Sequence, residues 1–467
     1  MSEKKSERRD ALFYNQKNGY DLIDEKDKKL CYEYAEEYKD FLDNSRTERE
    51  AINYAIKLAE KKGFVPYVRG MELKAGTKIY KANRGKALIL AVIGTKPLDE
   101  GINIAAAHVD VPRLDLKQVP VYEDTELCYF KTHYYGGIRK YQWVALPLAL
   151  HGVVALKNGT VVDVVIGKDK NEPVFVITDL LPHLAGEQNK KPLGEAITGE
   201  GLNILIGSIP DPEEGSDRVK LAIMNILHEK YGITEEDFLS AELSAVPALE
   251  TRDLGIDRSL IGGYGHDDRV CAFAALKATL SLKKPYRTAV CVLADKEEIG
   301  SEGVSGMKSE AFDCFIEDLC ESQGVALRHC FENSLCISAD VCNGFDPNYP
   351  DVSEKRNAAK MNYGLAICKY TGSRGKSGSN DASAELIGRL RRLFEENGVI
   401  WQMAELGKVD QGGGGTVAMF MAQRNIETVD AGVPVLSMHS PFETVAKLDC
   451  YMTYKGILSV FNEKKPY

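Results

Sequence analysis

Four largely apolar stretches of this chain run straight into a histidine or an acid. INIAAA, from Ile102, meets His108; TAVCVLA, Thr288–Ala294, meets Asp295 and then Glu297-Glu298; SLCISA meets Asp340; VPVLSM meets His439. KALILAVIG (Lys86–Gly94), NYGLAICKY and VIWQMAEL read as further strands. Between them lie segments with helical spacing. Tyr32, Ala35, Tyr38, Phe41 and Leu42 recur at such intervals within residues 20–62, as do Leu386, Ile387, Leu390, Leu393 and Phe394 within 381–397. Apolar strands alternating with helices predict an α/β fold: a mostly parallel central sheet flanked by helices on both faces. Such sheets bind ligands beyond the carboxyl ends of their strands. The four stretches would therefore deliver their polar residues to one edge.

The pattern breaks after Gln118. From there to about Val246 the chain shows short strands and turns, and VVALKNGTVVDVVIG (Val153–Gly167) places Asn158-Gly159 between two β-branched runs, a hairpin signal. At 467 residues the chain exceeds what one core holds. The expected organisation is an α/β part at 1–117 and 247–467, interrupted by a β-rich insert at 118–246. The insert is expected to serve oligomerisation, or as a lid, rather than chemistry.

A net charge of −10 argues against a broad nucleic-acid face. The opening MSEKKSERRD has no apolar core of a secretory leader, and no apolar run is long enough to span a membrane. The eleven cysteines form no CxxC pair, and several sit inside apolar runs, which suits reduced thiols in a cytoplasmic protein.

The acids and imidazoles form a chemically coherent set. His108 and Asp110, two apart at a strand end, can share a face, and a metal-bound imidazole commonly donates its other N–H to such a carboxylate. His266-Asp267-Asp268 precedes a helix; the acids could be caps, or one could bridge two cations, and His266 competes as a ligand but suits a supporting position behind the ligands better. Glu297 and Glu298, adjacent on a turn, could divide ligation from general-base work. Asp340 and His439 complete a donor set of oxygen and imidazole without thiolate, suited to zinc, manganese or cobalt. KYTGSRGKSGSN (Lys369–Asn380) carries Arg374 and Lys376 among small residues but lacks Walker spacing. The run Gly412–Gly415 reads as a tight loop or as a backbone-lined pocket wall.

With those residues in place, the sequence resembles the aspartyl aminopeptidase and vacuolar aminopeptidase I family of dinuclear metallo-aminopeptidases. The resemblance is carried by AAAHVDVPRLD at Ala105, LSAELSAVPA at Leu239, GGYGHDDRVCAFAAL at Gly262 and DKEEIGSEG at Asp295. SADVCNGFDPNY at Ser338, GSRGKSGSNDASAE at Gly372 and VLSMHSPFE at Val435 continue it in the same order. It implies a zinc-peptidase-like catalytic domain with an inserted β-rich domain. It implies two divalent ions per subunit, one held by His108, Asp267 and Asp340 and the other by Asp267, Glu298 and His439. Glu297 would be the general base and Asp110 would orient His108. It also implies peptide substrates with a free N-terminus and a large homo-oligomer, a dodecamer. Asp346 stands where relatives carry histidine; facing the pocket with Arg374 or Lys376, it would oppose acidic N-terminal residues. Two other readings use the same residues: another dinuclear metallohydrolase such as a deacylase, and a non-catalytic assembly protein that keeps the fold. Intact His108, Glu297 and His439 argue against the second.

Overall fold

The computed structural model describes residues 8, 9 and 11–464. Most of the opening MSEKKSERRD, read above for the lack of a leader, lies outside those residues. The segment with helical spacing near the N-terminus resolves into two helices, Glu25–Asp43 and Glu48–Lys61. The break falls where local chemistry sets it. Thr47 and Glu50 form a reciprocal cap that starts the second helix, an arrangement in which the N-cap contributes about 1 kcal/mol. The first helix buries Cys31, Tyr34, Ala35, Tyr38, Phe41 and Leu42, one face at three- and four-residue spacing.

The fold is mixed α/β. Its central nine-stranded sheet runs 65–66, 78–83, 87–92, 289–294, 103–108, 335–338, 427–432, 365–368, 401–404. The four middle strands, Ala289–Ala294, Asn103–His108, Leu335–Ser338 and Glu427–Gly432, are mutually parallel. On either side of these four the sheet turns antiparallel, at the 87–92 and 365–368 strands. Both faces are covered. Ala105, Ala107, Cys291 and Leu293 point into a core with the helices Glu25–Asp43, His266–Ser281 and Lys447–Phe461. Ile104, Ala106, Val290 and Val292 point into a second core with Ala311–Glu321 and Val417–Gln423. Double coverage is why these strands read as unbroken apolar runs.

A six-stranded, wholly antiparallel sheet is built from residues between Arg113 and Pro247, in the order 161–166, 148–155, 241–247, 113–124, 127–135, 204–207. It has its own core around Trp143, Leu150 and Phe238. The hairpin anticipated at Asn158-Gly159 is present, with Leu148–Ala155 paired to Val161–Ile166 and Gly159 at φ +87°. A third sheet of five short strands runs 252–254, 260–263, 443–446, 434–436, 342–343. VPVLS therefore belongs to this small sheet, not to the edge of the central one. The cysteines are all free thiols, and all but Cys314 are buried. Among the described residues no helix is long and apolar enough to cross a membrane.

Candidate metal centre

His108 ends the middle strand Asn103–His108, and its imidazole is buried. Asp267 sits in the first turn of the helix His266–Ser281, where Gly265 (φ +82°) turns the chain and Asp267 itself keeps a non-helical backbone. That start aims the Asp267 carboxylate at two rings at once. One oxygen lies 3.2 Å from Nε2 of His108 and the other 3.1 Å from Nε2 of His439. Asp268 faces elsewhere: one oxygen accepts the N–H of His108 at 3.1 Å, and the other has no hydrogen-bond partner among the described residues. Of the two adjacent acids, Asp267 is the one placed between the imidazoles. His266 lies away from them, with Nδ1 2.6 Å from the Tyr38 hydroxyl and burial pushing its pKa down to about 3.

Glu297 and Glu298 begin a single turn after Lys296, which takes a left-handed backbone at φ +72°. An Oε atom of Glu297 is 3.9 Å from Nε2 of His108, and one of Glu298 is 3.6 Å from Nε2 of His439. Asp340 follows the strand Leu335–Ser338 and reaches the same centre. Two groups result, His108–Asp267–Asp340 and Asp267–Glu298–His439, each with one potential ligand atom per residue within 4.8 Å of the others. They share Asp267.

Asp110 lies beside His108, but its part is wider than holding that ring. Nδ1 of His108 is 3.0 Å from the main-chain oxygen of Asp110 and 3.5 Å from its carboxylate. The carboxylate instead accepts from the Tyr135 hydroxyl at 2.8 Å and from the main-chain N–H groups of Glu297 and Glu298, both at 3.1 Å. It anchors the turn that presents both glutamates.

Tyr135 and the two glycines after it belong to the β-rich segment, and they touch the centre. Nδ1 of His439 donates to the Gly137 carbonyl at 2.8 Å, which leaves Nε2 facing Asp267. A side chain at Gly136 would come within 3.2 Å of a Glu298 oxygen. The expectation that this segment stands apart from the chemistry is corrected on this point. The Tyr-Gly-Gly run was a visible signal of close backbone approach. Glu443, quoted within VLSMHSPFE but given no role there, also contacts the centre: its carboxylate accepts the N–H of His439 at 2.7 Å and that of Asp267 at 3.0 Å.

Arg374, Lys376 and Asp346 engage locally. Lys376 pairs with Asp381 at 3.1 Å and lies over the Tyr370 ring, Arg374 is exposed, and Asp346 accepts the N–H of Asn348 in its own turn. The Gly412–Gly415 loop packs on their loop. Gly414 donates to the Thr371 carbonyl at 2.8 Å, and a side chain at Gly413 would meet the Gly372 backbone at 2.6 Å.

The electrostatics suit cations. Burial, with Asp267 adding, pushes the Glu298 carboxyl well above its ordinary range, and burial with Asp268 does the same to Asp340. Burial opposes charge on the imidazoles, yet the Asp110 and Asp267 carboxylates raise His108 well above its usual value, and Asp267 and Glu298 raise His439 to about 10. Asp267, despite burial, is held below the carboxylate range by the two rings. Positions that draw protons so strongly also draw divalent cations. The residues fit them: hard oxygen and imidazole donors only, with a buried Glu298 oxygen lacking any hydrogen-bond partner among the described residues.

A mixed α/β fold that brings two imidazoles and several carboxylates around one shared aspartate is built like a metal-dependent enzyme. Comparison with known proteins gives its family. The family model described as aminopeptidase I zinc metalloprotease (M18) matches residues 41–461, and the chain belongs to that family. It is 50% identical over 461 residues to a probable M18 family aminopeptidase 1 of Clostridium acetobutylicum, covering 97% of this chain and 99% of that one. The corresponding Thermotoga maritima protein is 44% identical over 435 residues, covering 92% and 96%. The crystal structure of the Thermotoga maritima M18 aminopeptidase superimposes with a TM-score of 0.93 at 42% identity, covering 96% of this chain and 100% of that one. At 20% identity and a TM-score of 0.75, the S. cerevisiae mApe1 dodecamer shares the fold, covering 92% and 96%. The chain is thus an aminopeptidase and a zinc metalloprotease.

Proposed function

We propose that the enzyme cleaves the N-terminal peptide bond with two zinc ions per subunit, one held by His108, Asp267 and Asp340 and the other by Asp267, Glu298 and His439. The observation that carries this reading is the Asp267 carboxylate, whose two oxygens face two different imidazoles at 3.2 and 3.1 Å. When bound, the ions lower the pKa of water toward about 7 and polarise the scissile carbonyl. Glu297 takes the proton of the attacking water and passes it to the leaving amine. Burial, together with Asp267 and Asp110, raises its pKa, as a base working near neutrality requires. Asp110 keeps Glu297 and Glu298 in place through their main-chain N–H groups, and Gly137 fixes the tautomer of His439. The free α-amino group of the peptide would be anchored by the second ion, or by a nearby carboxylate, on the side where the His439 side chain is 36% exposed.

Residues 118–246 form the inserted domain in this reading, and 1–117 with 247–467 the catalytic one. The six-stranded sheet with a core of its own supports that division. We assign to the insert a role in building a homo-oligomer, a dodecamer as in the yeast mApe1 structure. Val174, Leu180, Leu181, Leu184, Leu193 and Ile209 are all at least half exposed on it, apolar side chains that a neighbouring subunit would cover. Free, buried thiols support a cytoplasmic location.

Exhaustive chelation should abolish hydrolysis of a panel of aminoacyl amides, and zinc, manganese or cobalt should restore it. Full activity with no metal detected would refute the reading. In the same panel, neutral N-terminal residues should be cleaved at least as well as Asp or Glu; exclusive cleavage of acidic ones would place Asp346 outside the pocket.

A further inference from the structure

His439 takes a left-handed backbone at φ +63°, a conformation that persists at a functional site only where the surroundings fix it. Asp267 lies in ordinary extended backbone ahead of the regular part of its helix, so its aim also depends on what its main chain bonds to. One side chain holds both. Glu443 opens the strand Glu443–Ala446 of the small sheet, opposite Gly263 of the neighbouring strand. It is 1% exposed. Its register lets the carboxylate reach four residues back to the His439 N–H, at 2.7 Å, and across the strand pair to the Asp267 N–H, at 3.0 Å.

We infer that Glu443 is a positioning residue for the cation site: its two carboxylate oxygens clamp the main chain of the turns that carry Asp267 and His439, and so set the separation of these two ligands. The inference rests on the ligand assignment proposed above. Glu443 need not touch a cation or the substrate. Its chemistry is specific to a carboxylate of this length. Both partners are donors, so both oxygens must accept. An amide offers one oxygen and turns its NH2 against the second N–H, and aspartate, one methylene shorter, does not span the two turns.

The test is a zinc titration of the full-length, metal-stripped protein against a competing chromophoric chelator. Glu443→Gln and Glu443→Asp should each weaken zinc binding about 10- to 100-fold, the usual effect of losing a group that supports a ligand. Turnover should be lost at limiting zinc and regained at saturating zinc. Glu443→Asp carries the test if Glu443→Gln does not fold. Asp449 supplies the control for buried acids in general. It is fully buried and accepts the N–H groups of Asn362 at 2.8 Å and Gly364 at 2.7 Å, hydrogen bonds that lie away from the cluster. Asp449→Asn should lower the melting temperature and leave the zinc isotherm unchanged. A Glu443→Gln isotherm that superimposes on the wild type, or an Asp449→Asn isotherm displaced as far as that of Glu443→Gln, overturns the inference. His439→Ala separates this from the ligand assignment. Wild-type zinc affinity in both His439→Ala and Glu443→Gln overturns the assignment; wild-type affinity in Glu443→Gln alone overturns only the clamp.

Discussion

Replacing Glu297 by glutamine isolates proton transfer from metal binding. Glu297 and Glu298 share one turn and one anchor, the Asp110 carboxylate, which holds them through their main-chain N–H groups. A change of side chain at 297 therefore leaves the turn intact. The Glu297 carboxylate stands 3.9 Å from Nε2 of His108, whereas that of Glu298 belongs to the group with Asp267 and His439. Glutamine keeps the shape of Glu297 but takes up no proton near neutral pH. The expected loss in kcat is about 10²–10⁴-fold, or ~3–5 kcal/mol of barrier, with metal content unchanged. Stability should move the other way. Burial raises the Glu297 pKa above its unfolded value. Whatever stability that group contributes is present at low pH and lost as the pH rises through the folded value, so above that value the charge is a cost that glutamine removes. The melting temperature of the metal-free variant should equal or exceed that of the wild type. Glu298→Gln should do the reverse, losing a cation and, with it, activity that added zinc partly restores. Bound metal, single-turnover rate and thermal melting of both variants decide the matter. Loss of metal in Glu297→Gln with retention in Glu298→Gln would show that the two roles are exchanged, and wild-type turnover in Glu297→Gln would refute the base assignment outright.

Zinc uptake by the stripped protein at pH 7 should release protons. His439, at about 10, and His108, also raised, carry protons there that the ion must displace. Affinity should accordingly rise with pH up to about 10, and calorimetric heats should depend on the ionisation enthalpy of the buffer; buffer-independent heats refute this. Sedimentation of the active enzyme should show a large homo-oligomer built through the β-rich segment. A fully active monomer would contradict it.

Much of this molecule is legible from the order of its residues. His108, Asp340 and the Glu297-Glu298 pair each follow a strand whose two buried faces force an apolar run, so the run itself points to them. The hairpin at Asn158-Gly159 follows from turn chemistry that acts over a few residues. His439 was found by the same reasoning for a reason that does not hold. It follows a strand of the small five-stranded sheet, and reaches the centre because that sheet packs beside the central one.

What the sequence alone determined is therefore the local part: which segments are strands and helices, and which donor types stand at their ends. What only the tertiary structure decided is how those ends are aimed. The choice of Asp267 over Asp268 depends on a non-helical start to one helix. The Gly137 carbonyl and the His439 ring are separated by 302 residues in the chain, and Glu443 reaches Asp267 across 176. The Asp110 carboxylate, 3.5 Å from the ring beside it, also holds a turn 187 residues away. Hydrogen bonds of this kind depend on distances of a few tenths of an ångström between segments that only packing brings together, and no local periodicity or propensity encodes them.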